Sequence, residues 1–367
     1  MQQRTSAGVR RQRLSLDAAR SVGHRAPAAK LSDAPVPVDG EPASQWRVRW
    51  VCGPQADPEP TRALSGRTGE VLAVTSAGSA GRNAVIASHD DGAVRMWNLG
   101  SGKPFGEPVI GHGECVLAVA GAVHEGRLLA MTGSDDGALR LCEVGTGLPV
   151  GEPLLGHSAP IRALALLDIR DRLLAVTGSW DQSVRVWDLS AEQRPTSRVL
   201  LGHDAEVWSV ATAEVYDWPL AVTGGGDGTA RIWDLAAAQQ LGEPLRGHDA
   251  PVHTVATVRL DGSPLVVTGG WDHTLRIWDL RSGRRLGGVI RPGHRDLRWA
   301  MTTGTLGRRT IAATGGADGR VRVWDLATRG QIGPDLVFPA AVRALATAPG
   351  DRLIVGFGRE VAVLEPR

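Results

Sequence analysis

The chain has 367 residues, 42% hydrophobic and 22% charged, and its 41 Lys and Arg against 39 Asp and Glu leave a formal net charge of +2. That balance is one of a folded globular protein; it excludes an intrinsically disordered polyelectrolyte and gives no electrostatic case for nucleic acid or an anionic membrane as partner. No apolar run reaches about 18 residues, which excludes a membrane-spanning helix.

The first 45 residues stand apart. Arg4, Arg10, Arg11, Arg13, Arg20, Arg25 and Lys30 face one acid, Asp17, across residues 1–30, and a Pro/Ala/Asp-rich stretch follows. Without a sustained apolar period, residues 1–45 are expected to be a disordered Arg-rich tail. An electrostatic arm, or a phosphorylation site at Ser15 after the basic run, is the functional reading of the same segment. Residues 46–57 read as an extra strand or linker: WRVRWV alternates as a strand does, and the prolines from Pro54 to Pro60 break it. Cys52, Cys115 and Cys142 form no CxxC pair and no even-numbered framework. With no secretory-type apolar core at the N-terminus, they point to a reducing, cytoplasmic setting.

From Gly66 the chain repeats itself. Gly-His pairs begin at 111, 156, 202, 247 and 293, with Gly66-Arg67 as a degenerate first member. Trp-Asp pairs begin at 187, 233, 278 and 324, and Trp97-Asn98 and Cys142-Glu143 stand in register as weaker copies. Units therefore start near 66, 111, 156, 202, 247, 293 and 338, the last without either pair. Within one unit the spacing predicts strands over 161–166, 173–177 and 183–187, and a fourth over 197–201. The 47 glycines and 22 prolines suit the tight turns between them. Units of about 45 residues with four short strands are propeller blades.

The Gly-His and Trp-Asp pairs, repeated in register over 58–367, resemble the WD-repeat (tryptophan-aspartate repeat) β-propeller family. The resemblance implies an all-β fold, a seven-bladed β-propeller of four-stranded antiparallel blades. It also implies a ring closed by an N-terminal strand, and residues 59–65, just before the first unit, are the expected donor.

Four units carry a complete set of His, Thr, Asp and Trp: His157, Thr177, Asp181 and Trp187; His203, Thr223, Asp227 and Trp233; His248, Thr268, Asp272 and Trp278; His294, Thr314, Asp318 and Trp324. His112, Thr132 and Asp136 lack the Trp, Cys142 standing in its place. A hydroxyl, an imidazole and a carboxylate suggest a catalytic triad, but an enzyme needs one activated nucleophile in a cleft with an oxyanion hole, not copies at a fixed period. In the resembling family these groups form a structural hydrogen-bond relay from turn Asp to His to Thr to Trp. The first unit keeps only Asp91 and Trp97, and in the last Ile354 and Gly358 stand where Thr and Asp are expected. The seam is therefore expected to be the ring's least stable part. No catalytic residue, no metal ligand and no cofactor is expected.

Family members often bind partners on the face around the central channel. Positions matched to that face put Trp180 and Trp271 before the turn Asp, with Asp90, Asp135, Gly226, Ala317 and Phe357 at the same offset in other units. Arg162, Trp208, His253, Trp299 and Arg343 fall near the start of the first strands, and Glu206 two residues before Trp208. Exposed Trp and Arg are the composition of interface hot spots. The reading is a non-enzymatic protein–protein interaction scaffold, a monomeric propeller acting in a complex, that binds a protein or peptide on this arc. The alternative is a sensor or regulatory module of a multidomain signalling protein, beside a kinase or NTPase domain.

Overall fold

The computed structural model describes residues 46–52, 69–79, 82–106, 108–190, 196–296 and 299–366. Short runs of Val, Ile, Leu and Ala punctuated by Gly and Asp turns form antiparallel sheets whose strands follow one another in sequence. In the third blade Ile161–Ile169, Arg172–Ser179, Val184–Asp188 and Thr196–Leu200 pair in that order. The fourth repeats this with Val207–Val215, Trp218–Gly225, Ala230–Asp234 and Gln239–Leu245. Seven such blades stand in a ring, each first strand packing on the first strand of the next, and the seventh returning to the first. The outer strands vary. They shrink to two residues at Val109–Ile110, Leu154–Leu155 and Leu336–Val337, and in blade five to two bridges, Leu275 with Ile290 and Trp278 with Arg285.

The ring closes with a different segment from the one expected. Trp46–Cys52 forms the outer strand of blade seven, antiparallel to Glu360–Pro366 with Val48 opposite Leu364 and Cys52 opposite Val361. Residues 59–65, to which closure was assigned, lie outside the described residues. A bulge between Val48 and Trp50 divides the strand's side chains. Trp46, Val48 and Val51 enter the apolar core between blades six and seven, while Trp50 and Cys52 enter the core shared with blade one. Trp50 Nε1 donates to Leu99 O at 2.9 Å and Arg49 Nε to Gly100 O at 3.0 Å, so the strand grips the first blade as well. At its other end Glu365 faces Arg47 at 2.9 Å, Arg49 at 2.7 Å and Arg352 at 3.7 Å.

Two repeated features bring the blades together. One glycine of the second strand in six of the seven blades (Gly133, Gly178, Gly224, Gly269, Gly315 and Gly356; blade one has Ser88) lies against the neighbouring blade, where an added Cβ would come within 2.4–2.8 Å of the next blade's Ile161, Val207, Val252, Trp299, Val342 or Val71. The absent side chain is the space the next inner strand occupies. Around the channel, hydroxyls donate to the carbonyl of the preceding blade: Ser76 to Thr347 at 2.8 Å, Thr347 to Thr303 at 2.9 Å, Thr303 to Thr257 at 3.0 Å, Thr257 to Thr212 at 2.7 Å and Thr212 to Leu166 at 3.1 Å. Leu166 and Gly121 occupy the two remaining positions and carry no hydroxyl.

Candidate interaction face

The repeated polar residues meet as a relay. In blade four His203 lies 2.9 Å from Asp227 through Nδ1 and 2.7 Å from Thr223 Oγ1 through Nε2, and Trp233 Nε1 donates to that hydroxyl at 2.8 Å. In blade three the three distances are 2.8, 2.7 and 3.0 Å. In blade five they are 3.0, 2.7 and 2.9 Å, and in blade six 3.1, 3.0 and 3.2 Å. One proton arrangement satisfies every atom. Trp N–H donates to Thr, Thr O–H donates to His Nε2, and His Nδ1–H donates to the carboxylate. It requires a neutral imidazole, and burial lowers the basicity of His157, His248 and His294 against the pull of their aspartates. Burial works against the charge of Asp181, yet hydrogen bonds from Ser183 and His157 bring its carboxyl down to about 2.

The same geometry removes the catalytic option from these groups. Thr177, Thr223, Thr268 and Thr314 are each 0% exposed, and each hydroxyl is already held by two partners. In blade two the chain stops at Thr132, 2.8 Å from His112, because Cys142 replaces the tryptophan; burial pushes that thiol up to about 11. In blade one Asp91 instead receives Gly69 N at 3.1 Å, Ala93 N at 3.0 Å and Arg95 at 3.0 Å. Sequence reading missed a further partner, the arginine four residues after the turn aspartate. Arg95, Arg140, Arg231, Arg276 and Arg322 all pair with it, at 2.7–3.6 Å.

Blade seven corrects its assignment by one residue. Val342 pairs with Phe357 as Ile161 does with Ser179, and Gly358 N donates to Ala341 O as Trp180 N does to Pro160 O. Gly358, not Phe357, therefore occupies the position before the turn, and Val355, not Ile354, the threonine position. Phe357 is 1% exposed, inside the core beside Phe338. The seam replaces its relay with packing: Leu353, Ile354, Val355, Val361, Ala362, Val363 and Leu364 are all 0% exposed.

The face around the channel is built by bulges. The register of first and second strands slips at Leu72, Leu117, Arg162, Trp208, His253 and Arg343, the upper-strand positions. An extra residue in a strand turns its side chain out of the ladder. Two residues earlier, the carbonyls of Pro160, Glu206 and Pro251 receive the amides of Trp180, Gly226 and Trp271 at 2.8–3.1 Å. Turn and strand start are thus fixed side by side.

Three tryptophans form a continuous row there. Trp180 lies 6.0 Å from Trp208, and Trp208 5.5 Å from Trp271, centroid to centroid, at interplanar angles of 58° and 57°. The Arg162 guanidinium lies 5.9 Å from the Trp208 centroid. Trp180 is exposed; Trp208 and Trp271 are half-buried. Glu206 is exposed beside them.

The remaining arc residues behave differently. Trp299 is 4% exposed in the core between blades five and six, so it is not a surface residue. His253 covers it edge-on at 4.7 Å and donates from Nε2 to its carbonyl at 2.9 Å. Burial keeps His253 neutral by lowering it to about 4. Arg343 is held by Glu70 at 3.0 Å, bridging blades seven and one away from the row. Arg67 lies outside the described residues. The sequence reading also passed over Tyr216 and Trp218, 78% and 48% exposed, in the turn at the opposite end of blade four, where Arg281 lies over the tyrosine ring at 4.7 Å. The chain's only tyrosine in a turn was the available signal.

Among the described residues no group of three or more His, Cys, Asp or Glu is placed to hold a metal ion. The family model of the WD domain, G-beta repeat, matches residues 148–188, 194–234, 239–279 and 292–325, the blades with the complete relay. The comparison with curated proteins found no match.

Proposed function

Because this chain belongs to the WD-repeat β-propeller family, whose members are generally protein-interaction scaffolds, we propose that it is a non-catalytic platform that docks a protein or peptide segment on the channel face of blades three to five. The observation carrying this reading is the row Trp180, Trp208 and Trp271, which presents indole surface on the face while the repeated polar residues are used up inside the blades. Indoles give large contact area for little lost rotamer freedom, and affinity follows such anchors more than total area. Arg162 and Glu206 flank the row and supply orientation by charge.

Crosslinking and mass spectrometry of the native protein in its cell tests the reading. Crosslinks to a partner should concentrate on loops beside Trp180, Gly226 and Trp271. Crosslinks confined to the opposite end, beside Tyr216 and Trp218, would reject it.

A further inference from the structure

We propose that the cavity between blades three and four, at the end of the blades away from the tryptophan row, binds an oxyanion, a phosphate or carboxylate group, through Arg198 and Arg172. The site is separate from the docking face proposed above and stands or falls without it.

It starts from an unrepeated residue. In every blade the outer strand sets one residue opposite the middle of the third strand. Six times that residue is apolar: Phe105, Val150, Leu241, Leu286, Ile332 and Trp50. All but Val150 pack on the core shared with the following blade. Blade three carries Arg198 there, opposite Val186 in an unbroken register. With no apolar side chain to plug it, the junction with blade four keeps a cavity of about 150 Å³. Leu174 and Val186 wall it, and Arg172, Asp188, Thr196 and Arg198 bring polar groups to it. About 10–15 Å³ already holds one water, so a phosphate or carboxylate group has room.

The second observation is the charge left over. Arg172 donates to Asp188. Burial works against the charge of Asp188, yet hydrogen bonds from Arg172 and the Ser190 amide hold its carboxyl below the usual carboxylate range. That pair cancels. Arg198 donates to the carbonyl oxygens of Leu235 and Ala236, the latter at 2.8 Å, and has no acidic partner among the described residues. The carbonyls fix the guanidinium without neutralising it, so the cavity keeps one positive charge.

The third is donor geometry. A guanidinium carries five N–H donors in a rigid fork and no acceptor. Arg198 spends two on the carbonyls and Arg172 one on Asp188. The rest, with the Thr196 hydroxyl, suit a ligand that only accepts. Forked donors match the paired oxygens of phosphate and carboxylate.

The test titrates the full chain by calorimetry at pH 7.5 and constant ionic strength, with sodium phosphate, phosphoserine or acetate to about 20 mM in place of chloride. Phosphate should bind once per chain with a Kd of about 1 mM. Arg198→Leu, which restores the apolar residue of the other blades, should weaken it about tenfold or more while the melting temperature holds or rises. Arg198→Gln should weaken it equally. Arg170→Gln, altering an exposed arginine that does not line the cavity, should leave it unchanged. Tighter binding of phosphoserine supports a peptide phosphate as the natural anion, tighter binding of phosphate a free ion, and tighter binding of acetate a carboxylate. No binding of any anion, undiminished binding by Arg198→Gln, or an equal loss in Arg170→Gln overturns the site. Trp180→Ala with Trp271→Ala should bind phosphate as the unaltered chain does; loss of binding there contradicts a separate site.

Discussion

Trp271 on blade five lies 5.5 Å from Trp208 on blade four, at an interplanar angle of 57°. Two blades meet elsewhere through apolar cores and glycines; here they meet through indoles on the rim. Division of labour follows: repeated residues hold each blade, and unrepeated ones cluster at one stretch of the face.

The relay predicts a graded loss of stability. Thr223→Val leaves Trp233 Nε1 and His203 Nε2 buried without their shared hydroxyl, and should cost about 2–3 kcal/mol in urea unfolding. Thr132→Val strands fewer groups, since Cys142 stands in for the indole, and should cost about 1 kcal/mol. Equal losses would mean the indole bond contributes nothing.

Acid should destabilise the ring in two stages. His157, His248 and His294 have folded-state values below 6.5. Their contribution is complete above that value and is lost as pH falls through the folded values, because the unfolded chain takes up protons first. Asp181, lowered from 3.8 to about 2, adds a second loss below pH 3.8. Urea midpoints should fall from pH 7.5 to 5.5 and again towards pH 3; a rise between 7.5 and 5.5 contradicts the neutral relay.

Blade contact predicts where a methyl group is tolerated. An alanine Cβ at Gly224 would meet Val252 Cγ1 and its carbonyl oxygen, both at 2.8 Å, whereas at Gly113 it meets nothing within 4 Å. Gly224→Ala should cost about 1–3 kcal/mol, and Gly113→Ala should be close to neutral. Thermal unfolding of both variants decides it.

The closing strand predicts a sharp truncation boundary. Removing residues 1–45 should leave the melting temperature almost unchanged. Removing 1–52 strips Trp46, Val48 and Val51 from the core and the partners from Glu365, at about 5 kcal/mol or more. Hydrogen exchange should accordingly find 46–52 and 360–366 slower than the two-residue outer strands at 109–110 and 154–155, the reverse of a weak seam.

Much of this was legible in the chain. The Gly-His and Trp-Asp register determines the blades because each blade is a local unit, and the relay was implied by the resemblance to the WD-repeat family, whose imidazole, hydroxyl and carboxylate recur here at constant offsets. Long-range features were harder. WRVRWV looked like a strand without a place because its partner lies more than 300 residues away. The short turn after Phe357 moved blade seven by one residue. Trp299 shares an offset with Trp208, but its ring fills the gap beside Gly269, where a Cβ would stand 2.4 Å away. Offset places a residue on a rim; only backbone register says which way its side chain turns.

The most direct measurement is capture of cellular partners by three versions of the full chain: the unaltered protein, Trp180→Ala with Trp271→Ala, and Trp218→Ala, each checked for an unchanged melting temperature. The account predicts that the double variant loses the partners and the Trp218 variant, altered at the opposite end, keeps them. Retention by the double variant, or loss only in Trp218→Ala, would contradict it.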